Sequence, residues 1–299
     1  MTFVAGPVTV RAPASSANLG PGYDSFGLAL SRHDEVTATV TGTSLRVTAT
    51  GSGADELPTD ERHLVVRASR AAFERLAGQP AGLRIDCRNT IPHGRGLGSS
   101  AAAIVSGILL ARALTENGPS LLDDDGVLAL ATELEGHPDN VAACLLGGAT
   151  VAWTEAGLGR AARFSPAGLL PVLLIPTQRS ATEAARAVLP ATVPHQDAAF
   201  NVARAGLLVL ALAGRPELLF AATEDRLHQR YRAAGMPDTA GLVDRLRAAG
   251  LPAMVSGAGP SVLVLATDHA QLAQVTALAP ADWECAPLAP SDGAQLRRG

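Results

Sequence analysis

Ile91-Pro-His-Gly-Arg-Gly-Leu-Gly-Ser-Ser-Ala-Ala102 carries three glycines at alternate positions and runs into two serines and two alanines. Gly94, Gly96 and Gly98 permit positive φ and let a ligand come close to the backbone. Ser99 and Ser100 stand at the expected N-cap of the helix predicted by the Ala-rich run that follows. The free N–H groups of that helix start then point into the loop, and the macrodipole adds partial positive charge. Pro92, His93, Gly94, Arg95, Gly96, Leu97, Gly98, Ser99, Ser100, Ala101 and Ala102 thus form a candidate polyphosphate cradle that needs no lysine. A flexible linker capped by serine would share these letters, so the loop alone leaves both readings open.

Independence from lysine matters because the chain contains none: all 24 Lys+Arg positions are arginine. Schiff-base chemistry, a Walker A lysine and the strand lysine of a protein kinase are excluded. With 299 residues, 47% hydrophobic and 17% charged, the chain can build a large core in one large or two modest domains. Against 28 acidic residues the net charge is -4, so neither a nucleic-acid nor a membrane partner is expected, and an anionic ligand must meet a local positive site. Cys87, Cys144 and Cys285 are odd in number and lie far apart, with no CxxC. Free thiols in a reducing cytoplasm fit them better than disulfides or a zinc knuckle. The start, MTFVAGPVTVRAPASS, lacks the basic segment and long apolar run of a signal peptide. The longest apolar runs, such as Ala205–Ala213, fall short of the roughly 18 residues that span a bilayer.

Alternation at Val36–Val40 and Leu45–Ala49 around Thr41–Ser44 predicts a β-hairpin, and Leu83–Cys87 a strand. Helical spacing marks Leu64–Leu76, Ser99–Leu114, with the face Ile104, Val105, Ile108 and Leu109, and Asp125–Glu135. A short helix is expected at Asp139–Leu146 and a strand at Ala149–Trp153. Thr154–Pro171 has three glycines, two prolines and no period, which suggests a boundary between domains 1–160 and 161–299. Beyond it come a buried strand, Val172–Ile175, and helices at Thr182–Leu189, Asp197–Leu212, Glu217–Gln229 and Thr239–Ala249. Strands at Met254–Ser256 and Val262–Ala266 flank Gly257–Ser261. A last helix, His269–Leu278, a strand, Trp283–Cys285, and a polar tail complete the chain. Strands and helices mix without regular alternation, which argues for α+β.

Two further segments accompany the loop: Pro13-Ala-Ser-Ser-Ala-Asn-Leu-Gly-Pro-Gly-Tyr-Asp-Ser-Phe-Gly27 and Ser256-Gly-Ala-Gly-Pro-Ser-Val-Leu-Val264. In this order the three resemble the signatures of the GHMP kinases over essentially the whole chain. The first resembles the branch of that superfamily that acts on homoserine. The resemblance implies an N-terminal domain like ribosomal protein S5 domain 2, a ferredoxin-like C-terminal domain and an active site between them. ATP would lie across the loop, with Gly257 and Gly259 approaching its phosphates. Mg²⁺ would be held by Ser100 and Glu133. Only Leu134, Glu135 and Gly136 separate Glu133 from His137-Pro-Asp-Asn140, fewer residues than relatives often carry, so Glu135 is a second candidate ligand.

The same resemblance implies that Asn18, Asp24, His137, Asn140, Arg186 and Arg232 contact the acceptor, and it places Thr182 close by. With Ser100, Glu133 and Arg186, Thr182 completes the candidate catalytic set. Arginine forks suit the carboxylate of an amino acid, and a carboxylate or amide oxygen suits its ammonium group. The expected reaction is phosphorylation of L-homoserine to O-phospho-L-homoserine for threonine synthesis, by a cytoplasmic homodimer. The alternatives are a kinase of the same superfamily for a sugar or isoprenoid alcohol, and a catalytically silent sensor on this fold.

Overall fold

The computed structural model describes residues 2–76, 78–180 and 182–298, and not the side chain of Thr182. Among these residues, strands β1 (Val8–Ala17), β2 (Phe26–Thr41), β3 (Leu45–Gly51), β4 (Gly82–Asn89), β5 (Ala149–Glu155), β6 (Leu158–Phe164), β7 (Leu170–Ile175), β8 (Ala253–Val255), β9 (Val262–Ala266), β10 (Glu284–Pro287) and β11 (Gln295–Arg298) fall into two sheets. The first runs β11-β1-β2-β4-β3, with a β5–β6 hairpin joined to the start of β2. The second is antiparallel, in the order β10-β7-β9-β8. Numbered within the second sheet this is 4-1-3-2, the ferredoxin-like order expected for the C-terminal half.

The helices are α1 (Leu64–Arg75), α2 (Ser99–Leu114), α3 (Gly118–Leu121), α4 (Asp124–Glu135), α5 (Pro138–Leu146), α6 (Thr182–Ala187), α7 (His195–Leu212), α8 (Leu219–Ala222), α9 (Gln229–Arg232), α10 (Pro237–Ala248) and α11 (His269–Leu278). Helix α2 is apolar nearly all round, and such a helix must be enclosed. It packs on α1, α4, α5 and β1, burying Ile104, Val105, Ile108 and Leu109 together with most of its other residues. The glycine-rich loop is thereby anchored to the centre of the first core. Helices α10 and α11 supply Leu242, Leu246 and Val275 to a second core against Val172, Val262 and Val264.

Four expectations need correction. Leu45–Ala49 does not form a hairpin with Val36–Val40. Strand β4 lies between them, pairing antiparallel with β2 and parallel with β3, because α1 carries the chain back to insert it. The boundary at 160/161 falls inside β6, which pairs along its length with β5, so the first unit extends through Phe164. The expected helix Glu217–Gln229 is broken into α8, a loop and α9. The buried Asp225 carboxylate accepts from the backbone N–H groups of Leu227, His228 and Gln229, an alternative to helical bonding. The polar tail ends in β11, paired with β1, so the C-terminus closes the first sheet.

Candidate active site

A cleft of about 380 Å³ runs between the two halves, with the glycine-rich loop as its floor. Its ends differ. Val36, Leu57, Leu64, Val65, Pro92, Leu97, Ala102 and Ala103, with Asp34, His63, Asn89 and His93 beside them, line a more apolar end, whereas Asp24, Arg186, Arg232, Glu135 and His137 line a charged one. The start of α2 lies between them. Gly98, rather than a serine, is its N-cap, at φ 69°, and no side chain caps the helix. Ser99 and Ser100 instead occupy the first turn, whose N–H groups face the cleft with the helix dipole behind them.

The glycines are required by contact. A Cβ on Gly96, at φ +70°, would lie 2.1 Å from the Ser256 carbonyl oxygen, while Ser256 Oγ donates to the Gly96 carbonyl at 2.7 Å. A Cβ on Gly98 would lie 2.0 Å from Ser15 Oγ, which donates to Asn140 Oδ1 at 2.9 Å. The loop therefore packs against the first and third motifs simultaneously. Arg95 and Ala101 do not line the cleft. The Arg95 guanidinium donates to the carbonyls of His93, Pro176 and Thr177, clamping the loop to the strand exit of the second half. Ala101 is buried in the core. Gly257 and Ala258 reach the cleft; Gly259 supports them from behind.

At the charged end, Asn18 has φ 66°. It donates to the Gly257 carbonyl at 2.8 Å and accepts from the Asp24 N–H at 2.9 Å, joining the first motif to the third. Both terminal nitrogens of Arg186 donate to the Asp24 carboxylate, at 3.0 and 2.5 Å, and one also meets Tyr23 Oη at 2.9 Å. Arg232 is 3% exposed. Its Nε donates to the Ala185 carbonyl, and Nη1 faces Gly257 and His228 Nδ1. Since guanidinium can only donate, His228 Nδ1 accepts and Nε2–H donates to the Gly20 carbonyl at 2.8 Å. Burial lowers the His228 pKa and keeps this ring neutral.

The carboxylate nearest the loop is Glu135, not Glu133. Glu133 is exposed and pairs with Arg75 at 2.8 Å, outside the cleft. Glu135, two residues on and therefore on another helix face, accepts from Ser100 Oγ at 2.6 Å. Burial raises the Glu135 pKa, only partly offset by Ser100 and His137. Burial pulls His137 down, but its 2.7 Å bond to buried Asp139, with the nearby carboxylates, outweighs that and raises it. Thr182 opens α6 beside the cleft; its side chain lies outside the described residues. Tyr23, Asp139, Asn201, Asp225 and His228 join or support the site without having been singled out from the sequence. Asp139 was legible within His137-Pro-Asp-Asn140, whereas Asn201, which donates to Asp225, carries no local signal.

Comparison with known proteins identifies the family. The family model for the GHMP kinases N terminal domain matches residues 63–148, and that for GHMP kinases C terminal matches 207–283. Homoserine kinase from Streptomyces avermitilis is 57% identical over 282 residues, 94% of this chain and 92% of that protein. Homoserine kinase from Leifsonia xyli is 52% identical, over 88% of this chain and 82% of its own length. The crystal structure of homoserine kinase from Cytophaga hutchinsonii superposes with a TM-score of 0.83 at 25% identity, covering 99% of each chain. The chain belongs to the homoserine kinase family of the GHMP kinases.

Proposed function

We infer that the protein transfers the γ-phosphoryl group of ATP to the side-chain hydroxyl of L-homoserine, giving O-phospho-L-homoserine. The observation that carries this reading is the Asp24–Arg186 ion pair beside Arg232, across the α2 N-terminus from the more apolar end of the cleft. Its charges complement a zwitterion: the acceptor's carboxylate meets the arginine forks and its ammonium meets Asp24 and Asn18. A sugar or an isoprenoid alcohol lacks that charge pair. The triphosphate lies over residues 94–100, and the first-turn N–H groups of α2 stabilise charge as it develops on the transferring group.

Ser100 Oγ and Glu135 place two hard oxygens together at the cradle, a donor set suited to Mg²⁺, which takes few protein ligands. When bound there, Mg²⁺ supplies neutralisation of phosphate charge. The homoserine oxygen bonds to the γ-phosphorus as the bond to the ADP oxygen breaks, and the hydroxyl proton ends on phosphate oxygen. Asp24, engaged by Arg186, anchors the substrate rather than acting as base. His137, held by Asp139, and Asn140, held by Ser15, orient the acceptor next to the loop.

A cytoplasmic homodimer completes the reading. Its support is the family resemblance and three cysteines without disulfides. Among the described residues no helix is long and apolar enough to cross a membrane. The test is ADP release with homoserine, mevalonate and galactose in parallel: turnover with homoserine alone supports the reading, and a preference for either alcohol overturns it.

A further inference from the structure

A second cavity, of about 390 Å³, lies outside the cleft, and none of the groups assigned to phosphate or acceptor binding lines it. Ligand pockets span roughly 300–1,000 Å³, so a small metabolite fits it. Ala233, Met236, Ala240, Val243 and Val255 give it an apolar wall, and Arg226 and Arg230 a cationic one. Both arginines pair with the single carboxylate of Asp197, at 3.4 and 2.5 Å, which leaves one positive charge over. Nε and Nη2 of Arg226, and Nε and Nη1 of Arg230, find no acceptor among the described residues. The Arg226 guanidinium carbon lies 3.7 Å from the Phe200 ring centroid, a cation–π contact that holds it in place. Asp244 lines the same cavity, is exposed and has no ion pair among the described residues. The other charged groups there are engaged: Glu224 by Arg204, Asp225 by three backbone N–H groups, and Arg247 by the Phe220 and Ala253 carbonyls.

The cavity backs onto the acceptor end of the cleft. Helix α9 gives Arg230 to the cavity and Arg232 to the cleft. Met236 and Val255 press on Gly259 from behind: a Cβ there would lie 2.6 Å from Met236 Sδ and 3.2 Å from Val255 Cγ1. We propose that this cavity is a second amino-acid site, which takes an α-amino acid with an aliphatic side chain, and that its occupancy changes the affinity for homoserine. The ligand carboxylate meets the free donors of Arg226 and Arg230, its ammonium meets Asp244, and its side chain covers Met236, Ala240 and Val243. An inorganic anion would leave Asp244 and the apolar wall unused. The coupling rests on the reading that Arg232 binds the acceptor, since Arg230 and Arg232 share one turn of α9.

The probe is L-leucine, compared with 4-methylpentanoate, which lacks the ammonium, and 3-methylbutylamine, which lacks the carboxylate. Calorimetry on the full chain should show L-leucine binding, with each analogue weaker by about tenfold, since each loses one charged contact. Asp244→Asn should bind L-leucine and 4-methylpentanoate equally, and Arg230→Ala should narrow the gap between L-leucine and 3-methylbutylamine. Both variants should turn over homoserine as the wild type does without L-leucine. In the wild type L-leucine should shift the KM for homoserine by about threefold or more, and the shift should level off once the cavity is filled. No binding at about 10 mM L-leucine overturns the proposal. A KM that rises without limit, or binding that Arg186→Ala abolishes while Asp244→Asn and Arg230→Ala leave it intact, puts L-leucine in the cleft and also overturns it. Binding with an unchanged KM overturns the coupling. A protein that binds L-leucine with these preferences but does not phosphorylate homoserine overturns the kinase reading and leaves the second site standing.

Discussion

Glu133 lies on the outer surface against Arg75, whereas Glu135 is enclosed beside Ser100. Glu135→Gln keeps the shape but removes the charge, so kcat should fall by orders of magnitude and recover partly at high Mg²⁺. Glu133→Gln should stay within about twofold of wild type; the reverse pattern in a steady-state assay would return the metal role to Glu133. Because burial raises the Glu135 pKa, its charge is lost on acidification earlier than that of an ordinary carboxylate. Asp34 offers a second electrostatic test. Its Oδ1 accepts from the N–H groups of Thr90 and Ile91, and burial raises its pKa from 3.8 to about 6. The folded state therefore holds this proton more tightly than the unfolded chain. Stability from this group is greatest below pH 4 and falls as pH rises through 6. Asp34→Asn keeps the oxygen for both N–H groups and removes the buried charge. Thermal melts should show it more stable than wild type by about 2–3 kcal/mol at pH 8 and nearly equal at pH 4. A pH-independent difference would contradict this assignment. Arg186→Ala should raise the KM for homoserine by about 2–4 kcal/mol in binding while the KM for ATP moves much less. Arg186→Lys should not rescue it, since an ammonium cannot form the fork.

The loop and helix α2 were legible in the sequence because their requirements are local: glycine for close approach, small residues at the first turn and an apolar run behind. The same loop now separates its glycines by what each touches. Gly96→Ala must push aside the Ser256 carbonyl, so both ATP affinity and melting temperature should drop sharply. At Gly94 the nearest atom to a Cβ is the Ser180 oxygen at 3.4 Å, so Gly94→Ala carries mainly the positive-φ penalty of about 1–2 kcal/mol and should weaken ATP binding only a few-fold. Equal effects of the two substitutions, by calorimetry and thermal melts, would contradict this ranking. Elements whose partners lie far along the chain were not legible. Val36–Val40 and Leu45–Ala49 have the alternation of a hairpin, but the pattern does not say that residues 82–89 will pair between them. Glu217–Gln229 has helical spacing, and only the buried Asp225 with Asn201 reveals why the helix breaks there. The resemblance points to Glu133 first and Glu135 second; helix phase and the Arg75 pair put Glu133 on the outer surface and Glu135 beside Ser100.

The two halves are bound into one molecule by several crossings: Asn18 to Gly257, Ser256 to Gly96, Arg95 to Pro176 and Thr177, and β11 onto β1. Residues 1–160 expressed alone lack most of β6 and all of β11, leaving the edges of β5 and β1 unpaired. This fragment should aggregate or show no cooperative melt, whereas the full chain should melt cooperatively. A soluble, cooperatively folding 1–160 fragment would contradict this picture of the fold. Joining the halves also sets the charged end of the cleft, with Asp24, Arg186 and Arg232, across the start of α2 from the more apolar end, and the central proposal is that this charged end reads the acceptor's carboxylate. It is tested most directly by initial rates of ADP release with L-homoserine and with two analogues that keep the reacting hydroxyl, homoserine amide and the decarboxylated amino alcohol. The account predicts turnover of homoserine and a kcat/KM at least about 30-fold lower for both analogues, the equivalent of about 2 kcal/mol of lost carboxylate recognition. Analogues phosphorylated as efficiently as homoserine would contradict it.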